Sequence, residues 1–275
     1  MLTSLTSAVS GLDCFQQDMD VIGNNIANIN TDGFKAGQVN FADSLSDTLQ
    51  SGNGPVQIGL GVYNQSVTNN WNQGAVTSTG VSSDLAISGS GFFVVQDPTT
   101  GTQYATQDGS FTVNSSGYLV TAGGQQVQGY NNAGLSTIGS IKIDATGAPA
   151  TAAAGATVSS YTISSSGQIN VTLSDGTTFT RGQVLVQNFQ NPQALVNQAG
   201  NLYSNLSNAG PVSTTLVAPG TNGTGTIQSG YLEISNVDLS TEMANLITAQ
   251  RGFEANSKIV TTSDELLQTL VNMKH

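Results

Sequence analysis

The residues that most constrain this chain are its first thirty. Leu5, Leu12, Met19 and Ile26 recur every seven residues, and Ala8, Phe15, Ile22 and Ile29 form a second such stripe. Together they fill eight successive a and d positions of a heptad pattern, separated mostly by Ser, Thr, Gln, Asn and Asp. A 3.5-residue repeat keeps its apolar seam turned toward another helix, so this segment calls for a partner along its whole length. An amphipathic helix lying on its own domain would carry a similar stripe. The far end of the chain favours the first reading. There Leu239, Met243, Leu246, Phe253, Val260, Leu267 and Leu270 give a second long helix an apolar face, interrupted by Gln250 and Ser257.

The first helix is expected from about Thr3 to about Asn28, where Asn24, Asn25, Asn28 and Asn30 crowd its end. Gly33 follows as a turn residue with positive φ. Phe34, Val39 and Phe41 read as apolar anchors of a short extended stretch, and Leu45 with Leu49 as a brief helical turn. Residues 51–55 read as a flexible loop. At the other end Asp238 can cap the last helix, Glu242 sits near its positive pole, and Lys274 and His275 close it.

Between the helices the pattern becomes short strands with dense turn signals. Candidates are Gly61 to Val67, Asp84 to Ser88, Gly91 to Gln96, Gln103 to Thr106, Ser110 to Val113 and Tyr118 to Thr121. Their spacing suggests a small antiparallel sandwich or barrel, with Phe92, Phe93, Val95, Phe111, Val113 and Leu119 as its core. Trp71 reads as a packing residue. Residues 131–160 thin out into a linker or surface loop. Ile169, Val171 and Leu173 then lead through Asp175-Gly176 into a hairpin. Val184 to Phe189 reads as a further strand, and Leu195 with Val196 as part of a short helical segment. The fold class is α+β: long N- and C-terminal helices paired as a coiled coil, with an inserted, mainly antiparallel β domain. Residues 1–56 and 231–275 form the helical part, and 57–230 the β-rich part.

Composition removes several classes of function. A net charge of −11 with six Lys and Arg argues against nucleic acid and anionic membranes, which need clustered cations. No run of 18 apolar residues exists to span a membrane. The N-terminus lacks the basic start and unbroken apolar core of a secretory signal, so any export is expected without cleavage of one. Cys14 is the only cysteine and adjoins the seam, where it reads as a small hydrophobe. One histidine, the last residue, leaves no Ser-His-Asp or Cys-His arrangement and no histidine-based metal site. Asp84, Asp97, Asp108 and Asp175 remain for a glycosidase-type pair, but each lies where Asp ordinarily forms turns. No catalytic residue, metal site or cofactor is expected. An extracellular adhesin would share the Ser, Thr, Gly and Asn bias, but gives no reason for matched terminal helices.

Specific runs of residues carry a resemblance. Ser10-Gly11-Leu12, Asp20 through Asn28, Thr31 and Gly33-Phe34-Lys35 resemble the N-terminal signature of bacterial flagellar rod and hook proteins. Ser235 through Leu239, Ala249-Gln250-Arg251, Asn256-Ser257-Lys258, Thr262-Ser263-Asp264 and Leu266-Leu267-Gln268 are similar to the other end of that family. Asp84 through Ile87, Gly91-Phe92-Phe93 and Asp108 through Phe111 look like its β domain. The resemblance implies an axial tube protein, exported by the flagellar type III apparatus and assembled in the hook or basal body. Its helices would line a central channel, with the β domain outside.

The implied partners are further copies of the chain, neighbouring rod and junction proteins, the export apparatus and a cap protein. The expected assembly interface is Leu5, Leu12, Phe15, Met19, Ile22, Asn24, Asn25, Ile26, Asn28, Ile29 and Phe34 on one side. Met243, Leu246, Phe253, Val260, Leu267 and Leu270 supply the other. Residues 186–193 and the ending Asn272-Met273-Lys274 look like hook proteins, so a hook subunit, linking rod to filament and transmitting torque, is the expectation. A distal rod protein is the alternative, since residues 131–160 are too few for a second outer β domain.

Overall fold

A computed structural model describes residues 2–51, 54–153 and 155–273. The chain divides into two compact units. The first combines Met1–Ile29, Lys35–Asn70 and Val237–His275, and the second Asn30–Phe34 with Trp71–Asn236.

In the first unit, helix α1 spans Leu2–Ala27 and helix α2 spans Leu239–Asn272. Both ends of the chain therefore follow their apolar periodicity. The Asp238 side chain accepts a hydrogen bond from the Thr241 N–H at 2.8 Å, satisfying one of the free donors at the start of α2. That bond holds the Asp238 carboxyl below the ordinary carboxylate range. α1 ends at its asparagines: the Asn28 N–H and side-chain amide both donate to the Asn24 carbonyl. The strand Gly37–Asp43 then pairs antiparallel with Val62–Asn69, with a register shift at Asn40/Phe41. Leu45 and Leu49 form no helical turn. Leu45 is 80 % exposed, and Leu49 lies in Ser46–Ser51, a strand paired with Gly54–Gly59. Two leucines four apart mimic a helical turn, but alternation over the whole segment suits a ladder. Of the expected loop 51–55, Gly52 and Asn53 lie outside the described residues, as do Lys274 and His275.

The second unit is built on a twelve-stranded antiparallel sheet. Its main path runs Val158–Ile163, Gln168–Leu173, Thr178–Val184, Gln126–Tyr130, Phe92–Gln96, Gln103–Thr106, Leu202–Ser204 and Val196–Gln198. Two small pairs stand beside it, Leu85–Ser88 with Thr226–Ser229 and Val76–Ser78 with Tyr231–Glu233. The turn 30–34 groups with this unit. Gly33 has φ +68, and a Cβ there would stand 2.6 Å from the Asp108 nitrogen, so the position needs glycine for both conformation and space. The Asp175-Gly176 hairpin also forms, with φ +82 at Gly176.

The main core gathers Leu85, Phe93, Val95, Phe111, Leu119, Ile169 and Val184, with the Phe93 and Phe111 rings 5.1 Å apart, edge to face. A second cluster joins Phe92, Phe189, Leu195 and Tyr203, and Trp71 packs on it through Phe92 and Tyr203. Burial pushes the Tyr203 hydroxyl up to about 12. Val113 does not join the core: it lies with Thr112 on a two-residue strand whose residues are both exposed, and is itself 38 % exposed. The stretch 131–160 is more than a linker. It contains the strand Ile138–Ser140 and delivers Ile141 and Ile143 to the core. The expected strand 184–189 is split, with Val184 ending one strand and Val186–Gln187 pairing with Phe92–Phe93. The short helical segment is a 3-10 turn, Pro192–Ala194, and Val196 belongs to the following strand.

Arg181, 7 % exposed, is the second unit's buried cation. Its Nε donates to Asp144 Oδ1 at 2.7 Å and its guanidinium also reaches the Asn131 carbonyl. Burial by itself would raise the Asp144 carboxyl, but the Arg181 bond and the Thr146 N–H outweigh it and hold it at about 2. An unfolded Asp titrates near ~3.9, so the stability Asp144 contributes is full above that pH and is lost as pH falls toward about 2. Urea unfolding of Asp144→Asn should show lower stability at pH 6. Its gap to wild type should narrow steadily from pH 4 downward.

Candidate functional site

The feature that dominates the first unit is the packing of α1 on α2. A Cβ added to Gly11 would stand 2.7 Å from the Asn256 amide nitrogen, and one added to Gly252 would stand 2.5 Å from the Phe15 ring. As the residue number rises by four along α1 it falls by four along α2, so the helices run antiparallel. The two glycines admit the opposing side chains, and a Cβ at either would force Asn256 or the Phe15 ring to move.

The innermost residues of α1 are Ala8, Gly11, Cys14, Ile22 and Asn25, of which Ala8 and Ile22 belong to the seam read from the sequence. Leu5, Leu12, Phe15, Met19, Ile26 and Ile29 are only half-buried, as is Asn28, and Asn24 is exposed. The reason is that α1 has two neighbours in its unit, α2 and the strands Gly37–Asp43 and Val62–Asn69. Polar bonds fasten it to the strands: Asn25 exchanges two with the Gly37 backbone, at 2.8 and 2.9 Å. Gln17 accepts from the Asn64 amide at 2.7 Å. Apart from Ile22, the residues buried deepest are small or hydrogen-bonded, and the other large seam residues are half-buried at the flank. Cys14 is buried there, and burial with nearby Asp13 pushes its thiol up, as suits an inert packing group.

On α2, Leu246, Phe253, Val260 and Leu267 are half-buried, with Ala249, Asn256 and Ser263 interleaved between them. These small residues recur every seven positions, and Ala249 and Ser263 are the buried residues of the helix. A search for apolar side chains passes over them, whereas a search for any seven-residue recurrence would find them. Met243 and Leu270 do not face inward. They are 44 % and 50 % exposed, and with Ile247, Ile259 and Leu266 they leave a second apolar surface uncovered. Phe34 is buried, but groups with the second unit.

The carboxylates considered for catalysis are engaged in turns. Asp84 accepts from the Thr79 hydroxyl, Asp97 from Thr99 and Thr100, Asp108 from the Ser110 N–H, and Asp175 from the Ala153 and Thr177 N–H groups. Among the described residues no helix is long and apolar enough to cross a membrane, and no cluster of His, Cys, Asp and Glu could hold a metal ion.

The C-terminal helix thus carries apolar residues that its own unit leaves uncovered, and a β unit is inserted in sequence between the two helices. Three family models match the chain: "Flagella basal body rod protein" over residues 5–35, "Flagellar hook protein FlgE/F/G D1 domain" over 86–171, and "Flagellar basal body rod FlgEFG protein C-terminal" over 228–273. The flagellar basal-body rod protein FlgG of Bacillus subtilis is 42 % identical over 283 residues, covering 100 % of both chains. That of Caulobacter vibrioides is 37 % identical, covering 99 % of this chain and 100 % of its own. The flagellar hook protein FlgE of Treponema pallidum is 44 % identical over 140 residues, 47 % of this chain and 30 % of its own. This chain belongs to the flagellar basal-body rod and hook protein family. It is a structural protein of the flagellum and not an enzyme.

Proposed function

We propose that the chain is a subunit of the distal rod of the basal body, polymerising into a helical tube through its terminal helices. The observation that carries this reading is its end-to-end similarity to rod proteins, against a match to a hook protein over less than half its length. The hook expectation is therefore set aside in favour of its alternative. The residues that prompted it have another role. Val186, Gln187 and Phe189 are buried, and the Gln187 amide donates to the Ser213 carbonyl, so these three residues report how the β unit packs.

In this reading the terminal helices form the inner layer of the tube and the β unit its outer layer. The half-buried seam of Leu5, Leu12, Phe15, Met19 and Ile26 and the uncovered Met243 and Leu270 become contacts between copies. There the heptad pattern continues as a coiled coil across subunits. A repeated head-to-tail contact that does not close into a ring yields an open helical tube. Neighbouring rod and junction proteins would meet its two ends, after passage through the export apparatus and under a cap protein. Immunogold labelling of isolated hook–basal bodies tests the assignment. Antibodies to the β unit should mark the straight shaft below the hook, and label along the curved hook would refute it.

A further inference from the structure

A groove of about 570 Å³ opens in the first unit beside α1, the strand Gly37–Asp43 and the first turns of α2. Its walls are partly apolar, from Phe15, Val39 and Phe41, and it carries two carboxylates, Asp18 and Glu242. Neither carboxylate has a side-chain hydrogen bond or ion pair among the described residues. Asp18 is half-buried there, and burial raises its carboxyl. An unpaired carboxylate drawn partly out of water is unfavourable, and a cation on an apolar stem relieves it.

The chain itself offers few such cations. Lys35 and Arg181 are buried, Lys142 lies 3.3 Å from Asp144, and Lys274 is outside the described residues. Arg251 and Lys258 remain, one above the other at seven-residue spacing on the exposed side of α2. The Arg251 side chain is 76 % exposed, and its one partner among the described residues is the similarly exposed Glu254, three residues along at 2.9 Å. An exposed pair of this kind contributes little and is readily exchanged. Subunits of net charge −11 repel one another, and a contact that brings one of these two cations to a neighbour's acid offsets that repulsion locally. Arginine suits the groove better than lysine, since its planar guanidinium can pair with a carboxylate while lying on an aromatic ring.

We propose that this groove receives Arg251 of a second copy of the chain, with its guanidinium on Asp18 and its stem against Phe15 and Phe41. The proposal rests on the reading that the terminal helices polymerise. Its test is the critical concentration for polymerisation of the purified full-length chain, measured by sedimentation. Arg251→Glu and Asp18→Arg should each raise it about tenfold or more. The double variant Asp18→Arg/Arg251→Glu, which exchanges the charges, should return it to near the wild-type value. Asp18→Asn keeps the side-chain shape and guards against misfolding in Asp18→Arg, and it should also raise the critical concentration. Unchanged values for Arg251→Glu and Asp18→Asn, or a double variant no better than the worse single one, would overturn the pairing while leaving helix-driven polymerisation intact. A wild-type chain that stays monomeric would overturn both.

Discussion

A chain lacking Leu2–Ala27 should remain a folded monomer and form no polymer at concentrations where the full chain does. The second unit has its own sheet and both hydrophobic clusters, and every residue of those clusters lies outside α1. Trp71 is the only tryptophan and is packed on Phe92 and Tyr203 in that unit, so its fluorescence reports directly whether the β fold survives. The emission maximum should stay at its wild-type position while light scattering on concentration disappears. The physical reason is that a helix whose seam is largely only half-buried gains much of its stabilisation from neighbours, and its removal strips contacts from every copy at once. Loss of the native Trp71 signal would mean that α1 supports the β unit, and the division of roles would fail.

Gly109→Ala should be among the most damaging single substitutions in the second unit. A Cβ there would stand 1.6 Å from the Leu85 carbonyl oxygen and 2.7 Å from its carbon, both backbone atoms of a fully buried residue. The close approach exists because the Leu85 N–H donates to the Gly109 carbonyl at 3.0 Å, joining the Asp108 turn to the strand Leu85–Ser88. Relieving the overlap means breaking that bond and shifting a core residue, for a loss of about 3 kcal/mol or more in urea titration followed by Trp71 fluorescence. Gly176→Ala is the contrast. Nothing lies within 4 Å of its Cβ position, and the cost is the left-handed backbone alone, φ +82, roughly 1–2 kcal/mol. Similar losses at the two positions would show that close approach at Gly109 is not what that residue serves.

Much of the architecture was legible because its signals are local. Asp238 announced the start of α2, Gly33 and Asp175-Gly176 announced turns, and heptad recurrence announced both helices. Features that depend on distant partners were not legible. Ile141 and Ile143 lie in a thin stretch of sequence and become core only because the sheet passes beside them. Asp144 and Arg181 are 37 residues apart, and nothing in either segment announces the other. The close approach of the two helices was not legible for a related reason. Hydrophobic periodicity finds the large residues, whereas the closest approach falls at Gly11 and Gly252, and the buried residues of α2 are the small Ala249 and Ser263. The choice between rod and hook was least legible, since within residues 186–193 the side chains Val186, Gln187 and Phe189 are buried in the β unit and report its packing.

Electron cryomicroscopy of polymers grown from the purified chain tests the central claim most directly. The account predicts straight tubes in which α1 and α2 line the channel, their exposed seams packed between copies, with the β unit outside. Supercoiled, curved tubes, or tubes with the terminal helices at the outer surface, would contradict it.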